Sequence, residues 1–312
     1  MGVSDLARLV AGSWKLILNG VLVVDKPAGP TSHDVVAIVR RALKTPRVGH
    51  TGTLDPLATG VLPLVIGRAT RLASFLSSGE KDYVAAIRLG LATATYDAAS
   101  REAVPVPPSG IDVADIERAL ASFRGTFDQA PPPFSAKKIG GVPAYTLARK
   151  SKPVQPTPVS VTVHDLAIDR YADGVAVVRV RASAGFYVRS LAHDLGRMLG
   201  CGAHLETLRR VRAASFGEDV AVPLSRIDSE GHEAAQWIVP LDRLLTEIPA
   251  VVLSDRGLRR AAHGNEVTVE DVSQPDVSSQ APRYRLLDAA GHLVAIAERR
   301  PGGLLHPVVV LV

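Results

Sequence analysis

The residues best suited to chemistry lie in Gly49-His50-Thr51-Gly52-Thr53-Leu54-Asp55-Pro56-Leu57-Ala58-Thr59-Gly60, where Asp55 is the only acid between Val35 and Gly79. Arg40, Arg41, Lys44 and Arg47 precede it, and Arg68 and Arg71 follow. A lone acid among small residues and bases suggests a charged carboxylate presented to a polyanion. Asp-Pro is also a common turn signal, and taken alone the turn is the simpler reading. Gly49, Gly52 and Gly60 favour a functional loop, because glycine lets a ligand backbone approach closely. His50 by itself reads as a structural hydrogen-bonding residue.

A second constellation is Gly185-Phe186-Tyr187-Val188-Arg189. If this piece is extended, Tyr187 and Arg189 share a face. Arg189 could then hold a carboxylate through a charge-assisted bond. At ~4 Å and a dielectric of about 20, such a pair attracts by roughly 4 kcal/mol before desolvation. From spacing alone, a surface arginine ending a strand is the simpler reading. Tyr83, in Glu80-Lys81-Asp82-Tyr83, is a packing residue or a platform on which a base could stack.

The 312 residues must position these groups, and 46% hydrophobic with 21% charged residues suits a soluble globular chain. That length allows one large domain and a small one. The net charge of +5 is modest but clustered. From Gln129 to His164 there is no acid, against Lys137, Lys138, Arg149, Lys150 and Lys152; Arg209, Arg210 and Arg212 form another knot. Together the clusters favour a nucleic-acid partner. Cys201 is the single cysteine, so no internal disulfide forms, and no Cys/His spacing resembles a zinc site. A cytoplasmic setting follows, with Cys201 structural. No run is long enough to span a membrane, and Met1 to Asn19 lacks the marks of a signal peptide.

Val21-Leu22-Val23-Val24 reads as a buried strand that Pro27-Ala28-Gly29-Pro30 ends. Thr31 and Asp34 have capping-box spacing ahead of a helical pattern through Leu43, and Asp112 and Asp115 offer a second helix start. Leu64 to Ile66 reads as a strand with Pro63 at its first position. Tyr83 to Leu89, Val159 to Val163 and Val175 to Val180 read as strands. Leu191, Leu195, Met198 and Leu199 mark one helical face that Gly200 stops. Pro131-Pro132-Pro133 opens an exposed, shaped loop. Beyond Pro249, short apolar pieces separated by turn signals suggest a small β-rich module.

In their order and spacing, several motifs resemble the bacterial tRNA pseudouridine-55 synthases of the TruB family. They are Gly20 to Pro27, the Asp55 run, Lys81-Asp82-Tyr83, Pro132 to Lys137, Tyr187-Val188-Arg189, and Gly202 to Leu205 leading to Leu208-Arg209-Arg210. The resemblance covers the chain from Gly20 and is weakest after Pro249. It implies an α/β (α+β) fold: a mixed-sheet catalytic domain over 20–248, a mobile thumb loop at about 131–159, and a PUA-like RNA-binding domain over 249–312. Residues 1–19 form an N-terminal extension with no family role. The implied activity isomerises uridine 55 of the tRNA T loop to pseudouridine on a flipped-out base, with an added tRNA-folding role in view. Asp55 matches the nucleophile, Tyr83 the residue that stacks on the target base and is a candidate for proton transfer, and Arg189 the partner of the aspartate. Tyr187 lines the pocket, His50 helps displace the target nucleotide, Leu208 contacts the base, and Lys26 joins the substrate-binding set. No cofactor, metal or guide RNA is expected, and the chain is expected to act as a monomer. Phe134 stands where tyrosine is usual, and Phe186 replaces a more usual threonine.

Overall fold

The computed structural model describes residues 18–100, 108–135, 138–139, 142–143, 157–273 and 280–312. Most of the expected thumb loop and of the N-terminal extension lie outside the described residues. The elements that build the site are β1 (Gly20–Lys26), α1 (Ser32–Ala42), β2 (Val48–His50), β3 (Thr59–Ile66), α2 (Ala73–Ser77) and β4 (Lys81–Leu89). They continue with α3 (Val113–Leu120), β5 (Gly125–Gln129), β6 (Val159–Ala172), β7 (Val175–Ala182), α4 (Val188–Met198) and β8 (Ala203–Ala213). The C-terminal part holds α5 (Leu224–Glu230), β9 (Ala250–Val252), α6 (Asp255–Ala262), β10 (Arg283–Leu287), β11 (Leu293–Arg299) and β12 (Leu305–Val310).

Most strands form one mixed sheet of eleven, whose main path runs Val222–Pro223, β1, β3, β8, β4, β7, β6, β5. β1 lies inside it, antiparallel to β3 and parallel to Val222–Pro223. It is apolar without alternation because both faces are covered. Leu22 and Val24 enter the core beneath α1, and Val21 and Val23 enter a second core on the other face. Helix α1 starts at the expected box: the Thr31 side chain accepts from Asp34 N, and the Asp34 carboxylate accepts from Thr31 N. Its buried stripe is Val35, Val36, Val39 and Ala42, each valine worth about 2 kcal/mol of burial. Helix α3 starts with the same device at Asp112 and Asp115.

The C-terminal residues form a four-stranded sheet in the order β9-β10-β11-β12. Leu293, Ile296 and Leu311 pack into the second core against Val21, Val23, Val61 and Val65. Arg68 Nη1 donates to Leu311 O at 2.9 Å, and Arg71 Nη1 donates to Val310 O. The two bases downstream of Asp55 therefore fasten this small sheet to the large one.

Four other expectations change. β3 begins at Thr59, so Pro63 stands in mid-strand opposite Val23. Gly60 sits there with φ +98°, and a Cβ would fall 2.2 Å from Arg210 O. This glycine admits the backbone of β8, not a ligand. We expect Gly60→Ala to lower stability by about 3 kcal/mol or more, measured as a shifted denaturant midpoint, because both the left-handed φ and the contact are penalised. Arg189 ends no strand; Tyr187 is the N-cap of α4 and Arg189 lies in its first turn. Met198 at the end of α4 is 54% exposed, leaving Leu191 and Leu195 to carry the buried face.

Candidate active site

Asp55 lies in the loop between β2 and β3, and three buried polar groups hold that loop from behind. Ser32 Oγ, at the start of α1, donates to Leu54 O at 3.0 Å and accepts from Leu54 N at 2.8 Å. Lys26 Nζ, at the end of β1, donates to Ala58 O (2.7 Å), Pro27 O (3.0 Å) and Pro56 O (3.3 Å). Arg210 of β8 donates from Nη2 to Gly52 O at 3.1 Å and from Nε to Val61 O at 2.7 Å. Ala58 N donates to Asp55 O at 3.0 Å, so the Asp-Pro turn exists as well. The turn is the device that presents the carboxylate.

The carboxylate meets Arg189. Arg189 Nε lies 2.8 Å from Asp55 Oδ2, and Nη2 donates to Oδ1 at 3.2 Å. This two-point contact is the geometry that a planar guanidinium allows. Arg189 is itself held on all sides: Nη1 donates to Thr95 O at 3.2 Å, Nη2 to Phe134 O at 3.0 Å, and Nη1 lies 3.7 Å from Asp97 Oδ2. Burial pushes the Asp55 carboxyl above its ordinary value, Arg189 opposes this, Asp97 adds to it, and Lys26 opposes it. Burial pulls the Lys26 ammonium down to about 8, with Asp55 opposing and Arg210 assisting.

A cleft of about 440 Å³ opens over this pair, walled by Asp55, Tyr83, Tyr187, Arg189, Leu208 and Arg210 among others. That volume is within the ~300–1,000 Å³ range of small-ligand sites and suits a single nucleoside. Tyr83 and Arg210 are cross-strand partners on β4 and β8. Burial raises the Tyr83 phenol well above its usual range, and Arg210 opposes the shift, so Tyr83 is a neutral phenol at neutral pH. Tyr187 is fixed by Gln129, which accepts from its N–H at 2.7 Å and donates to its carbonyl at 3.0 Å.

The structure thus gathers Asp55, Tyr83, Tyr187, Arg189 and Leu208 around one cleft. It does not bring Lys26 to the wall, because Lys26 is wholly buried and its ammonium bonds to backbone carbonyls behind the loop. His50, on β2, stands one residue behind the wall residue Thr51, its ring edge-to-face with His33 at 5.5 Å. Burial, then His33 and Arg210, lower its pKa, so it is a neutral imidazole. The basic knot 209–212 is not an open cationic face. Arg210 is buried, Arg209 pairs with Asp25 and Glu218, and Arg212 pairs with Asp82 and Glu80. Thr95, Asp97 and Gln129 escape a sequence reading. Their signal is a contact with residues 58 to 94 positions away. Among the described residues, no cluster of His, Cys, Asp or Glu could hold a metal ion, and no helix is long and apolar enough to cross a membrane.

Comparison with known proteins bears on this geometry. Residues 40–188 match the TruB family pseudouridylate synthase N-terminal domain, and residues 189–246 match the tRNA pseudouridylate synthase B C-terminal domain. A curated tRNA pseudouridine synthase B from Solibacter usitatus is 43% identical over 297 residues, covering 94% of this chain and all of that relative. The chain belongs to the TruB family of pseudouridine synthases. A second TruB relative, from Thermobifida fusca, is 41% identical over 301 residues, covering 94% of this chain and 98% of its own length. The archaeal box H/ACA sRNP Nop10–Cbf5 complex has a similar fold, with TM-score 0.70 and 26% identity over 95% of this chain and 87% of that one. As a pseudouridine synthase the protein is an isomerase: it breaks a bond from ribose to uracil N1 and makes one to C5. The two family-model matches end at residue 246, before the four-stranded C-terminal sheet begins at Ala250, whereas the curated TruB relatives align with 94% of the chain and so extend into it.

Proposed function

We propose that the protein converts uridine 55 in the T loop of tRNA to pseudouridine, with Asp55 as nucleophile acting on a flipped-out base. The observation that carries the reading is the two-point Asp55–Arg189 contact at the floor of a nucleoside-sized cleft. The names of the curated relatives supply the tRNA substrate. A stacked base cannot reach a carboxylate at the bottom of such a cleft, so the uridine must leave the helix first. Tyr83 offers the ring against which the extruded uracil stacks, with Leu208 and Tyr187 on the remaining wall. His50, neutral and behind the rim, helps displace the nucleotide. The carboxylate attacks and forms a covalent bond to the nucleotide, the N1–C1′ bond breaks, the uracil turns, C5 joins C1′, and the bond to Asp55 breaks, which returns the free carboxylate. The proton on C5 is lost and N1 gains one, so the atoms balance and no electrons are exchanged. The catalytic unit is taken as 20–248, and 249–312 as a PUA-like module that adds RNA contact. The protein acts alone, without a guide RNA.

The test is to incubate purified protein with an unmodified tRNA transcript and map pseudouridine by nucleotide. Product at the T-loop uridine with no RNA present besides the tRNA is the expected result; folded protein and intact tRNA without that product would reject the reading. The rate should also fall on the acid side as Asp55 takes up a proton. Because the Asp55 carboxyl is raised from 3.8, the midpoint of that fall is expected above the ordinary aspartate value. A pH–rate profile under single-turnover conditions checks it.

A further inference from the structure

Arg189 takes two of its contacts from one short turn. Thr95 O accepts from its Nη1 at 3.2 Å, and Asp97 Oδ2 lies 3.7 Å from the same nitrogen. Between them stands Tyr96, with φ +64°. A bulky side chain rarely adopts that left-handed backbone, and something must hold it there. Part of the hold is local: Tyr96 N donates to Thr93 O at 3.2 Å, Leu205 N donates to Tyr96 O at 3.0 Å, and Thr95 Oγ1 donates to Asp97 Oδ1 at 2.6 Å. The rest is a ring contact. Tyr96 lies flat on His193, with ring centroids 3.8 Å apart and planes within 10°. His193 is four residues beyond Arg189 on α4, one helical turn along the same side. The turn that supplies Thr95 and Asp97 is thereby stacked onto the helix that carries Arg189.

We propose that the Tyr96–His193 stack is a positioning device, fixing the 93–97 turn against α4 so that Arg189 keeps its two-point grip on Asp55. Neither ring lines the Asp55 cleft; both act through Arg189. Burial lowers the pKa of His193, with Asp194 opposing and Arg197 assisting, so the ring stacked on Tyr96 is a neutral imidazole. Without the stack, the turn relaxes from its left-handed form and Arg189 loses its rear supports. Asp55 then loses part of the cation that keeps it ionised, and because Arg189 acts on Asp55 more strongly than Asp97 does, this outweighs any withdrawal of Asp97 with the turn. Its protonation midpoint must move upward.

The proposal takes its catalytic consequence from the function proposed above, so two readouts are needed. The first is independent of substrate: a ¹³C NMR titration of the Asp55 carboxyl in the free protein, assigned by its absence in Asp55→Asn. Tyr96→Ala and His193→Ala should each raise the Asp55 midpoint, and Tyr96→Phe, which keeps a ring to stack, should leave it in place. The second is single-turnover pseudouridine formation on tRNA. Both alanine variants should be slowed about tenfold or more, with tRNA affinity within about twofold, and the double variant should be no slower than the worse single one. An unchanged Asp55 midpoint in Tyr96→Ala and His193→Ala overturns the proposal, as does a change confined to tRNA affinity, which would make the pair an RNA contact. His193→Ala leaves the strained turn's own residues intact, so it carries the test if Tyr96→Ala does not fold. If the wild type makes no product on tRNA, the proposed function fails and the titration still decides this device.

Discussion

Replacing Asp55 with asparagine is expected to abolish pseudouridine formation while leaving the fold and tRNA affinity near those of the wild type. The amide is isosteric with the carboxylate and still offers an oxygen to Arg189, so the cleft keeps its shape. Arg189 is not stranded, because Asp97, Thr95 O and Phe134 O remain around it. What disappears is the anionic nucleophile, and among the described residues no other acid lines the cleft. Loss of a nucleophile costs on the order of 10³-fold or more in comparable enzymes. Single-turnover assays with saturating enzyme separate this from a binding defect. Turnover within tenfold of the wild type would remove Asp55 from the mechanism.

The features legible in the sequence are those whose causes are local. The capping boxes at Thr31 and Asp112 need a partner three residues away, and both form where the spacing puts them. Asp55 stood out because isolation of an acid is a property of the string itself. The misreadings share the opposite trait. Arg209 and Arg212 look like a cationic knot until β8 is laid beside β4 and near β1, where Asp82 and Asp25 lie 130 and 184 positions away in the chain. Arg68 and Arg71 looked like flanks of a polyanion site, and instead hold carbonyls about 240 residues on. Gly60 looked like room for a ligand, and the space is filled by Arg210 O. Tyr187-Val188-Arg189 carries no Ser, Thr, Asp or Asn that would mark a helix start; Gln129, from a distant strand, binds the backbone of Tyr187 in their place. A long-range pairing leaves no periodic trace, and the site is assembled almost wholly from such pairings.

Arg189 should prove nearly as sensitive as Asp55, for a different reason. Replacing it with methionine keeps the bulk but leaves Asp97, itself buried, without its cation, and leaves Thr95 O and Phe134 O without their donor. Breaking one side of a buried ion pair costs about 3–5 kcal/mol in other proteins; the partly open Asp55 side should hold the loss nearer the lower figure, read from denaturant unfolding. The catalytic effect has a definite sign. With Arg189 gone, burial and Asp97 both favour the protonated Asp55, and Lys26 opposes them. The acid limb of the pH–rate profile should therefore move to higher pH, and residual activity should climb as pH rises. Arg189→Lys separates charge from geometry. It retains a cation near Asp55, so the acid limb should move less. A lysine is a compact point charge that cannot span both carboxylate oxygens while also reaching Thr95 O and Phe134 O. Its rate should still fall by about 10²-fold, as expected for a nucleophile displaced by about 1 Å. Wild-type rates in Arg189→Lys would mean that charge alone suffices and that the two-point contact has no catalytic part.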